Sequence, residues 1–296
     1  MRVFLTGANG WVGTAITREL LEAGHEVIGL VRSAEKARQF AAVGGVPMPG
    51  SLSDLDVLRE GAAGADGVIH TAFGLDIANI TTLAEEDRRA IDTFGAVFAG
   101  SARPIIVTGG VLLLPRGEVF TEDARPPVDP AFPRASEQTA FGLAGRGVAA
   151  SVVRLPRSTH GLGERHGFVP MLAAIAREKK VSAYVGNGDN LWPAVHRRDA
   201  ARVFRLALER GVGNQAYHAI AESGVPYRAI AEAIGRQLGV PARSMTPEEA
   251  AVHFGPLAPW VAGHGPASSE KTRVLLGWEP AQPDLIADID QPAYYG

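Results

Sequence analysis

Short apolar runs alternate with amphipathic stretches through the first half of the chain. "RVFL" leads into "WVGTAITRELLEAG" and "EVIGLV" into "AEKARQFAAVG". The alternation continues through "GVIHTAF", a helical stretch from about Thr81 to Gly100, "PIIVT", a helix from about Ala135 to Gly145, and "ASVVRL". Unbroken runs of β-branched residues read as strands buried on both faces, and the 3.6-residue periodicity between them as crossover helices. Strands alternating with helices predict an α/β fold, a doubly wound parallel sheet with helices on both faces.

Beyond Pro156 the texture changes. "RSTHGLGERHG" is rich in glycine and charge, and "PYRAIAEAIGRQLG" lacks the long buried strands of the first half. We therefore expect a nucleotide-binding domain over residues 1–156 and a smaller α/β substrate-binding region over 157–296, packed over the carboxyl edge of the sheet. "WPAVHRRDAARVFRLALERG" and "QAYHAI" are candidates to return to the sheet.

The first strand runs directly into "TGANGWVG", which places Gly7, Gly10 and Gly13 in a Gly-x-x-Gly-x-x-Gly pattern at the start of the first helix. The first glycine permits the tight turn, the second lets backbone N–H groups approach a pyrophosphate, and the third allows close packing of helix on strand. The helix N-terminus then faces the negative charge. Glycine triplets are common in a chain with 35 glycines, so the position between first strand and first helix carries the signal. That context defines a Rossmann-like dinucleotide site. At the end of the second strand, where a carboxylate would select a bare ribose, "GLVRS" offers Arg32 and Ser33, with Lys36 one turn further on. A guanidinium suits a 2′-phosphate, so the expected cofactor is NADP(H).

Composition narrows the remaining classes. A net charge of −3 and four scattered lysines (Lys36, Lys179, Lys180, Lys271) offer no phosphate-tracking patch, which argues against nucleic acid as a partner. The absence of cysteine rules out disulfides and thiolate metal sites and fits a reducing compartment. The apolar run in "MRVFLTGANG" is too short for a signal peptide, and no run approaches the roughly 18 residues that span a bilayer. A cytoplasmic, soluble protein acting on a small molecule is the expectation.

With these features the chain resembles the extended, atypical branch of the short-chain dehydrogenase/reductase superfamily, which is epimerase/dehydratase-like. The resemblance spans nearly the whole length and rests on "TGANGWVG", "GVIHTAF", "PIIVTGG", "VVRLPRSTHG", "WPAVHRRDAA" and "SSEKTRVLLGWEP". It implies that Asn9, Gly10, Trp11 and Val12 wrap the pyrophosphate and that Ser51 and Leu52 touch the adenine, at a position where aspartate is usual. It also implies that Ala72 and Phe73 lie under the ribose and that Pro156, with Arg157 and Ser158, flanks the nicotinamide. The helices near 81–100 and 135–145 are candidates to pair in a homodimer.

One expected element is missing. Members of this family use a Tyr-x-x-x-Lys pair on the helix after the fifth strand, the lysine lowering the phenol's pKa. Here that stretch reads "FPRASEQTAF"; the tyrosines are Tyr184, Tyr217, Tyr227, Tyr294 and Tyr295, and no lysine lies between Lys36 and Lys179. Spacing puts Phe132 or Pro133 in the tyrosine's place and Ser136 or Glu137 in the lysine's, with Ser136 read as a helix cap. The candidates left for the chemistry are Thr108, at the end of the fifth strand, and His160, whose imidazole titrates in the useful range. His166, Tyr184 and Trp192 are candidates to line the substrate. No metal site is expected, because His160, Glu164 and His166 lack helical ligand spacing. His70 reads as a packed residue, while Asp199 reads as a helix cap oriented by His196.

The expected activity is NADPH-dependent reduction of a small, fairly apolar carbonyl or related unsaturated compound, with an unusual proton source. A non-catalytic NADP(H) sensor is the competing class, supported by the missing pair. An epimerase or dehydratase, which ordinarily needs the tyrosine, ranks third; Arg157, Arg165, Arg197 and Arg198 would serve its sugar diphosphate.

Overall fold

A computed structural model describes residues 1–74, 79–113, 119–127 and 133–295. Its centre is a parallel sheet of β1 (Arg2–Thr6), β2 (Glu26–Val31), β3 (Val46–Pro49), β4 (Gly67–His70), β5 (Pro104–Gly110), β6 (Ala149–Leu155) and β10 (Ala216–His218). The spatial order is β10-β6-β5-β4-β1-β2-β3. The order reverses next to β1, and the crevice above that point is where ligands bind in open sheets of this kind.

Alternate residues of each strand serve opposite faces. Val3 and Leu5 of β1 pack with Ile16 and Leu20 of α1 (Trp11–Glu22) and with Val203 and Phe204 of α7 (Arg197–Arg210). Phe4 points the other way, to Leu58 of α3 (Leu55–Ala63) and to Ile91, Phe94 and Phe98 of α4 (Ile80–Phe98). Both faces are covered, which is why the strands carry no polar alternation.

Residues after 156 divide between two layers. The segment containing α7 and β10 returns to the large sheet, with β10 bonded to β6 at its edge. The others build a second core around β7 (Ser158–His160), β9 (Leu191–His196) and β11 (Glu222–Pro226), with β8 (Ser182–Val185) paired to β12 (Ala242–Met245). Trp192, Tyr227, Ile230 and Ile234 are buried there with Leu285 and Ile289 of the short helix Leu285–Ile289. No described helix is long and apolar enough to cross a membrane.

Three local readings change. The helix expected from Ala135 to Gly145 is α5 (Ser136–Gly142) followed by a 3₁₀ turn. Ser136 does not cap it; the hydroxyl lies inside the first turn and donates to Asp87 Oδ2 at 2.6 Å. Asp199 and His196 exchange roles: His196 is the N-cap of α7, its Nδ1 accepting from Arg198 N, while Asp199 accepts the N–H groups of Ala281 and Gln282. The indole of Trp278 donates to Asp199 O, so the "HRRDAA" and "GWEP" motifs are in direct contact.

A buried cation ties α5 to the sheet. Arg154 on β6 is fully buried; its Nε donates to Glu137 Oε2 at 2.9 Å and its Nη2 to Glu137 Oε1. The remaining N–H groups donate to the carbonyls of Thr121, Glu122 and Ala124 and to His218 Nε2. His218 Nδ1 lies 2.7 Å from Ser268 O, so it carries the ring proton, and burial followed by the Arg154 charge pushes the His218 pKa down to about 3. Glu137→Ala leaves the guanidinium buried without its carboxylate and is expected to cost about 3–5 kcal/mol in denaturant unfolding. Arg154→Met with Glu137→Leu should recover most of that loss.

Candidate cofactor and acceptor site

The loop from β1 into α1 shows what each glycine is for. Gly7 has φ +73°, and a Cβ there would lie 2.6 Å from Thr71 Oγ1 and 2.8 Å from Ala72 N. A Cβ on Gly13 would lie 2.0 Å from Gly7 O, so helix and loop touch backbone to backbone. Gly10 N donates to Gly7 O at 2.8 Å and Gly10 is the N-cap of α1, without a side-chain cap. The cradle is thus bare backbone at a helix start, which fits a pyrophosphate. Asn9 reaches Lys36 O with Nδ2, and Val12 is half-buried. The Trp11 side chain turns to the second layer: Nε1 donates to Thr159 O at 2.6 Å, and Arg197 lies over the ring.

At the far end of the loop, Arg32, Ser33 and Lys36 are exposed where β2 gives way to α2 (Ala34–Ala42). Ser33 Oγ caps α2 by accepting from Lys36 N, while Arg32 makes no hydrogen bond or ion pair among the described residues. A cleft of about 930 Å³ lined by Asn9, Thr14, Arg18, Lys36, Arg197 and Arg198 opens beside them. Ser51 is engaged locally, its N and Oγ both donating to Asp54 Oδ2, and Leu52 packs against the core beneath the sheet.

The carboxyl ends of β4 and β5 bring together Ala72, Phe73 and Thr108. Thr108 is buried and its hydroxyl donates to His70 O at 2.9 Å, so its proton is directed into the sheet. Above these ends lies a residue not anticipated from the sequence. Arg134 places its guanidinium carbon 4.0 Å from the centre of the Phe73 ring and donates from Nη2 to Thr108 O at 3.0 Å. Its Nε donates to Ser136 Oγ at 2.8 Å, and Ser136 in turn holds Asp87. Asp87 Oδ1 lies 3.0 Å from His70 Nε2, and His70 Nδ1 lies 2.7 Å from Thr6 Oγ1. His70 is packed, as expected, and is also one link of this chain. The sequence carries the signals: Asp87 interrupts the apolar face of α4 formed by Ala84, Ile91, Phe94 and Phe98, and Arg134 stands inside the stretch that replaces the Tyr-x-x-x-Lys pair. Phe132 lies outside the described residues, and Pro133 is half-buried.

The second-layer candidates are mostly turned away. Pro156 is buried at the end of β6. His160 is fully buried, with Nδ1 2.6 Å from Asp288 Oδ2, so it reaches no acceptor as placed. Trp192 is fully buried between Phe168 and Tyr227 and is a core residue, not a substrate-facing one. Tyr184 is half-buried on β8 beside Arg228, and His166 is exposed on the loop before α6 (Phe168–Lys179). Burial raises the pKa of Tyr217, Tyr227, Tyr294 and Tyr295, making them poor acids. No group of three potential metal ligands occurs among the described residues.

A family model described as NAD(P)H-binding matches residues 7–130. An uncharacterized protein of Schizosaccharomyces pombe is 47% identical over the whole of both chains. The 4-hydroxy-2-methyl-3-oxo-4-farnesyl-3,4-dihydroquinoline-1-oxide ketoreductase of Stigmatella aurantiaca is 31% identical, over 73% of this chain and 67% of that one. Among solved structures, the UDP-glucose 4-epimerase of Thermotoga maritima shares the fold with a TM-score of 0.76 at 17% identity, over 100% of this chain and 98% of that one. With its glycine loop and parallel sheet, the chain belongs to the extended short-chain dehydrogenase/reductase family and carries an NAD(P)H-binding domain.

Glu164 gives this region a pH dependence. It is buried, accepts a hydrogen bond from Tyr294, and burial followed by the Asp288 charge pushes its pKa from 4.5 up to about 7. A raised carboxyl pKa means that its contribution to stability is full below pH 4.5 and is lost as pH rises through about 7. Glu164→Gln is expected to flatten that part of the stability profile, read from urea midpoints across the interval.

Proposed function

We propose that the protein is an NADPH-dependent reductase of a small, fairly apolar carbonyl compound, with a proton source other than a tyrosine. When bound, the cofactor supplies the hydride; the chain supplies orientation and polarisation of the acceptor. The observation that carries this reading is that two of the four arginines a sugar diphosphate would need, Arg157 and Arg197, are engaged within the chain, while Arg165 and Arg198 stay exposed. Arg157 donates to Trp260 O and Gly263 O, and Arg197 is stacked on Trp11. A ketoreductase among the relatives supports the same direction.

The preference for NADPH rests on Arg32 and Lys36, cations standing where a carboxylate would select NAD. Titration of cofactor fluorescence is expected to show NADPH bound at least about tenfold more tightly than NADH, and Arg32→Asp to remove or reverse the difference. Equal affinity for both cofactors in the unmodified protein sinks the assignment.

The second reading, an NADP(H)-binding sensor, is favoured by the burial of His160 and by the inward-directed proton of Thr108. Tight NADPH binding with no oxidation of the cofactor across ketones, aldehydes and imines would decide for the sensor.

A further inference from the structure

We propose that Arg134 is the catalytic electrophile: its guanidinium takes the oxygen of the acceptor carbonyl and does the polarising work of the missing phenol. The proposal deepens the reductase reading and rests on it. Three observations converge on this residue.

The first is position. Arg134 bridges the ends of β4 and β5 by stacking on Phe73 and bonding Thr108 O. In this fold the reacting centre lies above the carboxyl ends of the strands. The residue is half-buried.

The second is rigidity. A guanidinium on a long side chain acts well on a developing charge only if it is fixed beforehand. Here the fixing runs through four hydrogen bonds, from Arg134 to Ser136, Asp87, His70 and Thr6 on β1. Asp87 is held charged, its pKa lowered despite burial by the hydrogen bond from His70 and by the charges of His70 and Arg134.

The third is charge left available. Arg154 meets its carboxylate directly; Arg134 meets Asp87 only through the Ser136 hydroxyl. Nε and one N–H of Nη2 are engaged, and N–H groups on both terminal nitrogens have no acceptor among the described residues. Burial lowers the affinity of this guanidinium for its proton without discharging it. A cation desolvated and, among the described residues, compensated only through a hydroxyl interacts strongly with a developing oxyanion.

The step balances with a proton from water. The carbonyl carbon accepts a hydride from the reduced nicotinamide, and the C=O π pair moves to oxygen. Arg134 N–H groups stabilise the alkoxide, water protonates it to the alcohol, and the cofactor ends oxidised. Arginine holds its own protons too tightly to be the acid. N–H groups on both terminal nitrogens without an acceptor among the described residues match two oxygens side by side, so the favoured acceptor class is a carbonyl flanked by a second oxygen, such as a 1,2- or 1,3-dicarbonyl.

The test compares the full chain with Arg134→Met and Arg134→Lys. It uses methyl pyruvate and pentane-2,4-dione as substrates, NADPH fluorescence for cofactor binding, and calorimetry of oxalate binding to the NADP⁺ complex. The expected result for Arg134→Met is a kcat lower by on the order of a hundred- to a thousandfold, oxalate binding lost and NADPH affinity within about threefold. Arg134→Lys should fall between, and guanidinium at sub-denaturing concentration should restore part of the activity of Arg134→Ala. Dicarbonyl turnover retained in Arg134→Met within about threefold overturns the proposal. So does parallel loss of turnover, NADPH binding and cooperative unfolding in both Arg134→Met and Arg134→Lys, since that marks a purely structural residue. An unmodified protein that binds NADPH and oxalate but reduces nothing overturns the reductase reading, and with it the catalytic role of Arg134, while leaving an oxyanion site there.

Discussion

The carboxyl edge of this sheet depends on a buried guanidinium. Arg154 gathers α5, the 121–124 segment and β10 around one positive charge, and the Glu137 carboxylate compensates that charge from within α5. Removing two ions from water is costly, so the pair specifies a geometry more than it stabilises one. That geometry places the start of α5 beside the end of β5. Arg134, just before α5, meets Thr108 and Phe73 at that junction.

Much of the fold is legible in the sequence because burial on both faces leaves a strong trace. The runs "VFL", "VIGLV" and "IIVTG" had to be central strands, and the amphipathic segments between them had to cross over. The glycine loop is legible for a similar reason, since Gly7 and Gly13 sit at positions where a Cβ collides with backbone. Short strands after residue 156 left less trace. Their partners lie far apart in the chain, as Ser158 with Ala194 and Ser182 with Ala242.

The site divided along the same line. Backbone positions and exposed charges depend on place in the chain: Gly10 stands at the start of α1 and Arg32 is exposed at the end of β2. Residues whose role depends on where a side chain turns could not be located that way. Trp192 and His160 have suitable chemistry but are packed inward, and Ser136 has a capping residue's chemistry but faces a buried carboxylate. Asp87 is the instructive case. A carboxylate on the apolar face of a helix is costly unless something answers it, and the answer lay in a different element.

The indole of Trp11 crosses from the glycine loop to Thr159, on the opposite side of the expected boundary at residue 156. Arg197, from the second half of the chain, covers the same ring. The nucleotide loop is therefore not a self-sufficient module. An excised first half would carry a stranded indole at its most sensitive turn, and a chimaera grafted there would inherit the sequence of the loop without its bracing. Exchange of the second half among related chains would have to bring along a partner for that one nitrogen.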